Sequence, residues 1–353
     1  MYHSYCDILV VGAGPAGSSA ARAAAGAGAD VVMVEQRPVV GVPVQCAEYI
    51  PAQLMGEIDL MDDFSVQKIK TMKTIFRGKV LRETNAPGYV IRRDRFDQAL
   101  ADEAVWAGAT IRLSTRAKDR TDAAVVVENR QGVREAITAK VVIGADGPHS
   151  RVARWMGRQK QNLMPAIHTQ ARLKYPMNAT EVHFDPLFTG GYGWLFPKGD
   201  MANIGLGLKR KHGRQLKKLL DDFIDRLVME GKIESGNARY SIGHIPAGPP
   251  GKLVKGNLLL VGDAAGHTHS ITGAGIPQAV ICGEMAGRWA AKAARSDDLS
   301  ALDGYERQWR DTFERSLSRA YTRRLFLERN WHRLDEILKS CWVVFRDYYA
   351  PLD

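Results

Sequence analysis

The sequence predicts an α/β fold in which a parallel-sheet domain is interrupted by an antiparallel sheet and followed by C-terminal helices. Residues 6–35 run as strand, glycine turn, Ala/Gly-rich helix and strand, which is a βαβ unit. Residues 166–208 alternate apolar and polar side chains over short runs, as half-buried antiparallel strands do. Residues 257–262 return to a fully apolar strand, and residues 275–294 and 301–348 have helical spacing.

These changes in sequence texture predict a domain plan and two turns. Asn85-Ala-Pro-Gly88 predicts a turn between two strands, and Pro197-Lys-Gly-Asp200 predicts a hairpin turn. The predicted nucleotide-binding domain has two parts, at 1–160 and 251–295, and strands in 62–92 of its first part contribute to the substrate side. An inserted β-rich substrate domain is predicted at 161–250, and a C-terminal helical region at 296–353.

Composition and charge limit the class of protein. The 353 residues are 45% apolar and 25% charged, which excludes a disordered chain, collagen and a coiled coil. The net charge of +10 favours an anionic substrate or a membrane surface as partner, and the basic stretches contain no nucleic-acid-binding motif. We expect a cytoplasmic protein, either free or peripheral on the membrane, without a signal peptide, a membrane span or a metal site. The four cysteines are well separated and predict reduced thiols: Cys6, Cys46, Cys282 and Cys341.

A glycine-rich turn after the first strand predicts dinucleotide binding. Gly12 permits the tight turn, Gly14 lets backbone approach a pyrophosphate, and Gly17 lets the helix pack closely on the strand. Glu35 lies 23 residues after Gly12, at the end of the second strand, where a carboxylate accepts from a ribose hydroxyl. These features together do not distinguish NAD from FAD.

Three further motifs indicate FAD. Gly262-Asp263-Ala-Ala-Gly266 follows a buried strand and resembles the second nucleotide fingerprint of the p-hydroxybenzoate-hydroxylase-like FAD superfamily. Gly144-Ala-Asp-Gly147-Pro-His-Ser150-Arg-Val152 resembles the central Asp-Gly motif of that superfamily, and Arg93-Asp-Arg-Phe96-Asp97 resembles its Arg-x-x-Phe-Asp helix start. The resemblance implies an FAD-binding Rossmann-like domain.

Two more stretches resemble geranylgeranyl reductases, a family within that superfamily. Pro43-Val-Gln-Cys46-Ala-Glu48-Tyr49 is similar to their Pro-Val-x-Cys-Gly-Glu stretch, and Gly191-Tyr192-Gly-Trp194-Leu-Phe196-Pro197-Lys198 is similar to their Tyr-x-Trp-x-Phe-Pro motif. The resemblance implies cofactor contacts at Gly12, Gly14, Ala16, Gly17, Glu35, Gln36, Arg37, Cys46, Ala47, Arg93, Ala117, Asp263, Gly275 and Ile276. Ala117 is placed there by spacing alone.

The resemblance implies FAD-dependent reduction of isolated C=C bonds in polyprenyl groups, with Cys46, Tyr192 and Trp194 as candidate catalytic residues. Cys46 is either a proton donor or a small residue packed against the flavin. Tyr192 and Trp194 form either an aromatic wall for an isoprenoid chain or part of the core. The expected partners are an isoprenoid lipid or prenyl phosphate, its anionic headgroup near Lys198, and an external donor, either NAD(P)H or a reduced carrier.

Two alternative functions share the nucleotide motifs. They are an FAD-dependent aromatic or lipid monooxygenase and a non-catalytic flavin electron carrier. A halogenase would require Trp-x-Trp-x-Ile-Pro, and residue 192 is tyrosine.

Four residues depart from the family pattern: Ala47, His267, His269 and Ser270. The two histidines could act on the flavin or serve as caps. The segment Lys209–Lys218, with six Lys or Arg residues and no acid, could meet lipid headgroups or form a solvated helix start.

Overall fold

The computed structural model describes residues 2–57, 64–121, 124–236 and 239–352, without the side chain of Arg210. Residues 62 and 63, at the start of the predicted strand region 62–92, lie outside the described residues. The strands are β1 (Tyr2–Val11), β2 (Val31–Val34), β3 (Tyr49–Pro51), β4 (Ser65–Phe76), β5 (Lys79–Ile91), β6 (Thr110–Arg112), β7 (Thr115–Arg120), β8 (Val125–Asn129), β9 (Arg134–Gly144), β10 (Leu163–Arg172), β11 (Ala179–Phe184), β12 (Tyr192–Lys198), β13 (Met201–Gly207), β14 (Ser241–Pro246), β15 (Val254–Lys255) and β16 (Leu258–Leu260).

The α-helices follow the predicted spacing of apolar residues. They are α1 (Pro15–Gly26), α2 (Ala52–Glu57), α3 (Arg93–Trp106), α4 (Arg151–Trp155), α5 (Leu216–Met229), α6 (Gly262–Ala265), α7 (Ile276–Ser296), α8 (Asp303–Trp309), α9 (Arg315–Arg329) and α10 (Leu334–Cys341). With the two sheets described below, these helices confirm the predicted α/β fold with an inserted sheet and C-terminal helices. Among the helices that the structure describes, none is long and apolar enough to cross a membrane.

The chain divides into two compact units, each built from three chain segments. The first unit comprises Met1–Val42, Asp94–Asn162 and Pro246–Arg319. The second unit comprises Pro43–Arg93, Leu163–Ile245 and Ala320–Asp353.

The first unit contains a sheet in the order β15-β16-β9-β1-β2-β6, with β7 and β8 extending from β9. The strands β16, β9, β1, β2 and β6 are parallel. Because parallel strands end at the same edge of a sheet, the segments that follow β1, β2, β9 and β16 lie side by side. Those segments begin with Gly12, Glu35, Ala145 and Val261, so the fold brings the nucleotide motifs of the sequence to one edge.

The second unit contains a sheet in the order β14-β10-β13-β12-β11-β4-β5-β3. Most of the pairs with assigned direction are antiparallel, but β4 and β11 pair in parallel. One face packs on α5, whose Leu216, Leu220, Phe223 and Leu227 form a core with Leu195 of β12. Since side chains alternate along a strand, Tyr192, Trp194 and Phe196 lie on the opposite face.

The turn predicted at Asn85–Gly88 is wrong. β5 runs through this segment, and the chain reverses at Arg77 and Gly78, both with positive φ (49° and 77°), as in tight hairpin turns. Pro87 is tolerated because the pairing of β4 with β5 is irregular there: Ile69 faces Gly88 and Thr71 faces Asn85. The hairpin turn predicted at Pro197–Asp200 is confirmed, because β12 ends at Lys198 and β13 begins at Met201.

Replacing Gly287 by alanine should destabilise the first unit, because α7 packs directly on the backbone of α1. A Cβ atom at Gly287 would lie 2.2 Å from the carbonyl oxygen of Ala20. We expect G287A to lower the free energy of unfolding by about 1–3 kcal/mol, measured by urea denaturation. The matched control is G26A in α1, where a Cβ atom has no neighbour within 4 Å and should raise stability or leave it unchanged. Equal effects of the two substitutions would contradict this packing argument.

Candidate functional site

The glycine turn after β1 forms a cradle of bare backbone. Gly12 has a φ of +102°, which disfavours any residue with a side chain. A Cβ atom at Gly17 would lie 1.9 Å from the carbonyl oxygen of Gly12, so only glycine permits this approach of helix and strand. A Cβ atom at Gly14 would have no neighbour within 4 Å, and α1 has no side-chain cap at its N-terminus. Open space beside uncapped N–H groups is the geometry that binds a phosphate.

The Glu35 carboxylate stands at the end of β2 and closes one side of this cradle. Its Oε2 accepts the backbone N–H of Ala13 at 2.9 Å, and its Oε1 accepts the backbone N–H of Arg37 at 2.9 Å. A carboxylate can accept about four hydrogen bonds, so both oxygens retain capacity for ribose hydroxyls. Gln36 follows and is exposed.

The third part of the edge is formed by Asp263 and the start of α7. Asp263 Oδ1 accepts a hydrogen bond from Thr268 Oγ1 at 2.7 Å. A Cβ atom at Gly275, the residue before Ile276, would lie 3.5 Å from the same Asp263 oxygen. The carboxylate therefore lies at the N-terminus of a helix of 21 residues, where the helix dipole stabilises negative charge.

Two further residues of the first unit bear on the predicted contacts. Ala117, placed by spacing alone, is a buried residue of β7 beside a bulge in its pairing with β8. Asp146 follows β9, and its Oδ2 accepts the N–H of Arg151 at 2.6 Å. Burial raises the pKa of this carboxyl, and its Oδ1 is buried without a partner among the described residues. The Asp-Gly motif suggested this residue, which we did not include among the predicted contacts.

In the second unit, the Cys46 segment forms a tight turn held by a buried carboxylate. Cys46 is half-buried, and its Sγ accepts the backbone N–H of Glu48 at 3.2 Å. Glu48 is 2% exposed and has a φ of +67°, which is rare for a residue with a side chain. Its Oε1 accepts the N–H of Arg93 at 2.9 Å. The predicted residues Cys46, Ala47 and Arg93 are therefore brought together by Glu48, which we did not predict as a site residue.

The other Glu48 oxygen binds two side chains of the sheet. Oε2 lies 2.6 Å from Lys198 Nζ and 2.8 Å from Asn203 Nδ2, and Asn203 also donates to the carbonyl oxygen of Ala47. Lys198 is therefore paired with a buried acid of its own unit, and its proximity to a substrate headgroup stays a prediction. A polar Asn203 within the apolar strand Met201–Gly207 is the sequence signal that could have identified this cluster.

His168 is a further residue of this cluster that sequence reasoning missed. It faces Gly205 across the sheet, and Gly205 in turn faces Trp194. Burial lowers the pKa of His168, while Glu48 raises it and Lys198 lowers it. Both ring nitrogens are closed to solvent, and a hydrogen bond with the backbone of Val44 also raises the pKa of His168. An isolated histidine in an alternating strand carries no sequence signal that distinguishes it from a core residue.

The aromatic residues of β12 form a continuous row on the face opposite α5. The rings of Tyr192 and Trp194 are 6.3 Å apart, and Phe196 lies 6.0 Å from Tyr49, which follows the Cys46 turn. At the far end, the ring of Tyr192 is 5.6 Å from Trp342 of the C-terminal segment. Burial raises the pKa of Tyr192, which keeps its hydroxyl protonated. The row is about 13 Å long from residue 196 to residue 192, and Trp194 and Phe196 are buried in it.

The two histidines after α6 belong to the first unit, where His267 is buried and His269 is half-buried. His267 is fully buried and stacks on Trp309 with ring centroids 5.5 Å apart, and neither of its ring nitrogens has a partner among the described residues. Burial, with a smaller contribution from Arg158, lowers the pKa of His267 to about 3. Burial also lowers the pKa of His269 to about 4. Burial therefore favours the neutral form of both rings.

Comparisons with known proteins agree on a family. The profile of the FAD binding domain family matches residues 5–189, and the profile of the geranylgeranyl reductase catalytic domain matches residues 169–238. Digeranylgeranylglycerophospholipid reductase 1 of Methanopyrus kandleri is 36% identical over 332 residues, covering 87% of this chain and 88% of that protein. Digeranylgeranylglycerophospholipid reductase 2 of Methanococcoides burtonii is 35% identical over 349 residues, covering 88% of this chain and 82% of that protein.

Solved structures show the same relationship. A geranylgeranyl bacteriochlorophyll reductase-like protein from Thermoplasma acidophilum has a TM-score of 0.87 at 28% identity, covering 99% of this chain and 94% of that one. A probable FAD-dependent monooxygenase from Pseudomonas aeruginosa has a TM-score of 0.70 at 19% identity, covering 95% of this chain and 100% of that one. The second similarity shows a shared fold alone.

Acid sensitivity of the fold should depend on His267. The pKa of His267 is 6.5 in the unfolded chain and about 3 in the folded protein. As the pH drops below 6.5, His267 therefore takes up a proton in the unfolded chain but not in the folded protein. Stability is therefore lost from pH 6.5 downward to about pH 3, with roughly 2 kcal/mol lost by pH 5 from this group. H267F keeps the stack on Trp309 and should remove that loss, measured as unfolding free energy at pH 6.5 and 5. The control is H3F at an exposed position. An equal loss in wild type and H267F would contradict the assignment.

Proposed function

Because the chain belongs to the geranylgeranyl reductase family of FAD-binding flavoproteins, we propose that it reduces isolated C=C bonds in geranylgeranyl chains of lipids or prenyl phosphates. It is an FAD-dependent oxidoreductase. The observation that carries the substrate proposal is the aromatic row Tyr192, Trp194 and Phe196, which leads within one unit to the Cys46 turn. An apolar surface that ends at a half-buried thiol suits an apolar chain that must receive a proton.

The edge of the first sheet fits FAD. The open space at Gly14 and the uncapped N-terminus of α1 suit the pyrophosphate, and Glu35 suits the adenosine ribose. Asp263 suits the ribityl chain, and Gly275 begins the helix whose N-terminus favours negative charge. We propose cofactor contacts at these positions, together with the others that the family resemblance implies: Gly12, Ala16, Gly17, Gln36, Arg37, Cys46, Ala47, Arg93, Ala117 and Ile276.

Reduction of an alkene requires a hydride at one carbon and a proton at the other. Reduced FAD, when bound, supplies the hydride. We propose that the Cys46 thiol supplies the proton, and that water then reprotonates the thiolate. Of the four cysteines, Cys46 alone is not buried, whereas burial raises the pKa of Cys6 and Cys341 to about 12. The other three thiols therefore cannot take this role.

The aromatic row would hold the prenyl chain and exclude water. Each buried methylene contributes about 0.8 kcal/mol to binding, so a long chain gains affinity from every ring that it covers. Phe196 lies nearest the Cys46 turn, and Trp194 and Tyr192 follow at about 7 Å and about 13 Å. The polyprenyl chain would then be oriented by contact along its length, since it carries few polar atoms to fix its position.

The alternative functions lack a comparable observation. A monooxygenase shares the fold, as the Pseudomonas aeruginosa protein shows, but that similarity extends to the fold alone. An electron carrier would not require the geranylgeranyl reductase catalytic domain, which matches residues 169–238. Both alternatives share the FAD-binding residues and differ only in substrate turnover.

An electron donor and a membrane surface are the remaining proposed partners. FAD must be reduced again after each turnover, either by NAD(P)H or by a reduced carrier. A lipid substrate requires access to a membrane, and the basic segment Lys209–Lys218 is the proposed contact. Lys209 and Lys217 are paired with Glu328 and Asp221. The exposed cations Lys211, Arg214 and Lys218 would meet anionic headgroups.

Replacing Cys46 by serine tests the proton donor. We expect C46S to retain FAD and to slow alkene reduction by about 10²–10⁴-fold, as is typical when a general acid is lost. The measurement is the rate of product formation by dithionite-reduced protein, followed by mass spectrometry of the lipid. The matched control is C341S, which alters a buried thiol of the same unit. A decrease of less than tenfold in C46S would mean that Cys46 only packs in the site.

Replacing Trp194 by alanine tests the substrate class. Because Trp194 lies beyond Phe196 along the row, we expect W194A to lower kcat/KM for geranylgeranyl substrates by about tenfold or more, and for geranyl substrates by less than about threefold. The measurement is a chain-length series on chemically reduced protein, with the exposed Trp106 changed to alanine as the control. The assignment is wrong if wild type reduces no prenyl substrate or gains nothing from chain length.

A further inference from the structure

We propose that Glu48 is a positioning residue that holds the Cys46-Ala47-Glu48 turn in its left-handed conformation and thereby fixes the position of the Cys46 thiol. Any role of that thiol in reduction rests on the proposed function. The positioning itself is a property of the second unit and can be tested without substrate.

The first argument is that the turn is unfavourable without an anchor. Glu48 has a φ of +67°, in a region that L side chains populate sparsely, and it is neither glycine nor asparagine. A conformation of this kind persists only where the surroundings impose it. The carboxylate itself is 2% exposed, and burial of an unpaired charge is strongly unfavourable.

The second argument is that three donors from different parts of the unit converge on this carboxylate. Lys198 at the end of β12 and Asn203 in β13 donate to Oε2 at 2.6 Å and 2.8 Å. The backbone N–H of Arg93 donates to Oε1 at 2.9 Å. These elements are fixed by the sheet and by the start of α3. The carboxylate can satisfy all three donors only if the Glu48 backbone stays where it is.

The third argument is that the same turn reaches the thiol directly. The backbone N–H of Glu48 donates to Cys46 Sγ at 3.2 Å, and Asn203 also donates to the carbonyl oxygen of Ala47 at 3.2 Å. Cys46, Ala47 and Glu48 therefore each take part in at least one of these hydrogen bonds. Release of the Glu48 carboxylate would let its φ relax, break the contact to Sγ and expose the thiol.

Thiol alkylation tests the proposal. Iodoacetamide should label Cys46 selectively, because the other three cysteines are buried, and C46A should abolish the labelling. Lys198→Met removes the charged partner of Glu48. We expect it to accelerate alkylation of Cys46 at fixed pH by about fivefold or more, as the turn opens. In turnover, kcat should fall while KM for the prenyl substrate stays within about twofold, since the aromatic row is unchanged.

The matched control is Lys232→Met. Lys232 lies 2.8 Å from Glu181, another buried carboxylate of the second unit, which also lies 2.9 Å from His183. Its loss therefore removes the lysine partner of a buried acid that keeps another polar neighbour, as Glu48 keeps Asn203. We expect this variant to alkylate Cys46 within about twofold of the wild-type rate. An unchanged rate in Lys198→Met, or an equal increase in both variants, would overturn the proposal.

A second variant covers the case in which Lys198→Met does not fold. Asn203→Ala removes two hydrogen bonds from the turn without leaving a lone charge, and we expect it to accelerate alkylation by about threefold. A wild-type rate in Asn203→Ala would also overturn the proposal. If these variants behave as expected while wild type reduces no prenyl chain, the positioning stands and the proposed function fails.

Discussion

The nucleotide-binding unit depends on how closely backbone can approach backbone. A Cβ atom at Gly17 of α1 would collide with the carbonyl oxygen of Gly12, which follows β1. In the same way, Cβ atoms at Gly283 and Gly287 of α7 would collide with the carbonyl oxygens of Ala16 and Ala20 in α1. Two helices and a strand are thereby stacked at distances that ordinary side chains exclude. This stacking leaves the N-terminus of α1 uncapped beside open space. The candidate phosphate cradle thus lies where helix and strand pack most tightly.

Much of the nucleotide site could be predicted because its determinants are local in sequence. The Gly12 turn and Glu35 belong to one βαβ unit of about 30 residues, whose geometry is nearly fixed by its glycines. The cluster around Glu48 could not be predicted in this way. Lys198 and Asn203 lie about 150 residues away, and no periodicity relates them to Glu48. Only the sheet order, in which β12 and β13 are neighbours, brings them together.

The differences from prediction have identifiable causes. Asn-Ala-Pro-Gly is a strong turn signal, but the sheet absorbs Pro87 in a bulge, because the missing N–H then falls where no ladder bond is needed. Lys198 was predicted to lie near an anionic headgroup because it follows the aromatic strand directly, and nothing in the sequence indicated that its Nζ would also lie 2.6 Å from the buried acid Glu48.

The parallel pairing of β4 with β11 has a consequence for synthesis of the chain. β4 ends at Phe76 and β11 begins at Ala179, so 103 positions separate the two strands. At about 5–20 residues per second, a ribosome needs roughly 5–20 s to make that segment. β5 is complete after the first 15 of these positions, and until β11 is made the other edge of β4 has no partner strand. Unpaired edges promote aggregation. Slow synthesis or delayed chaperone binding would therefore increase aggregation of the second unit before the enzyme has folded.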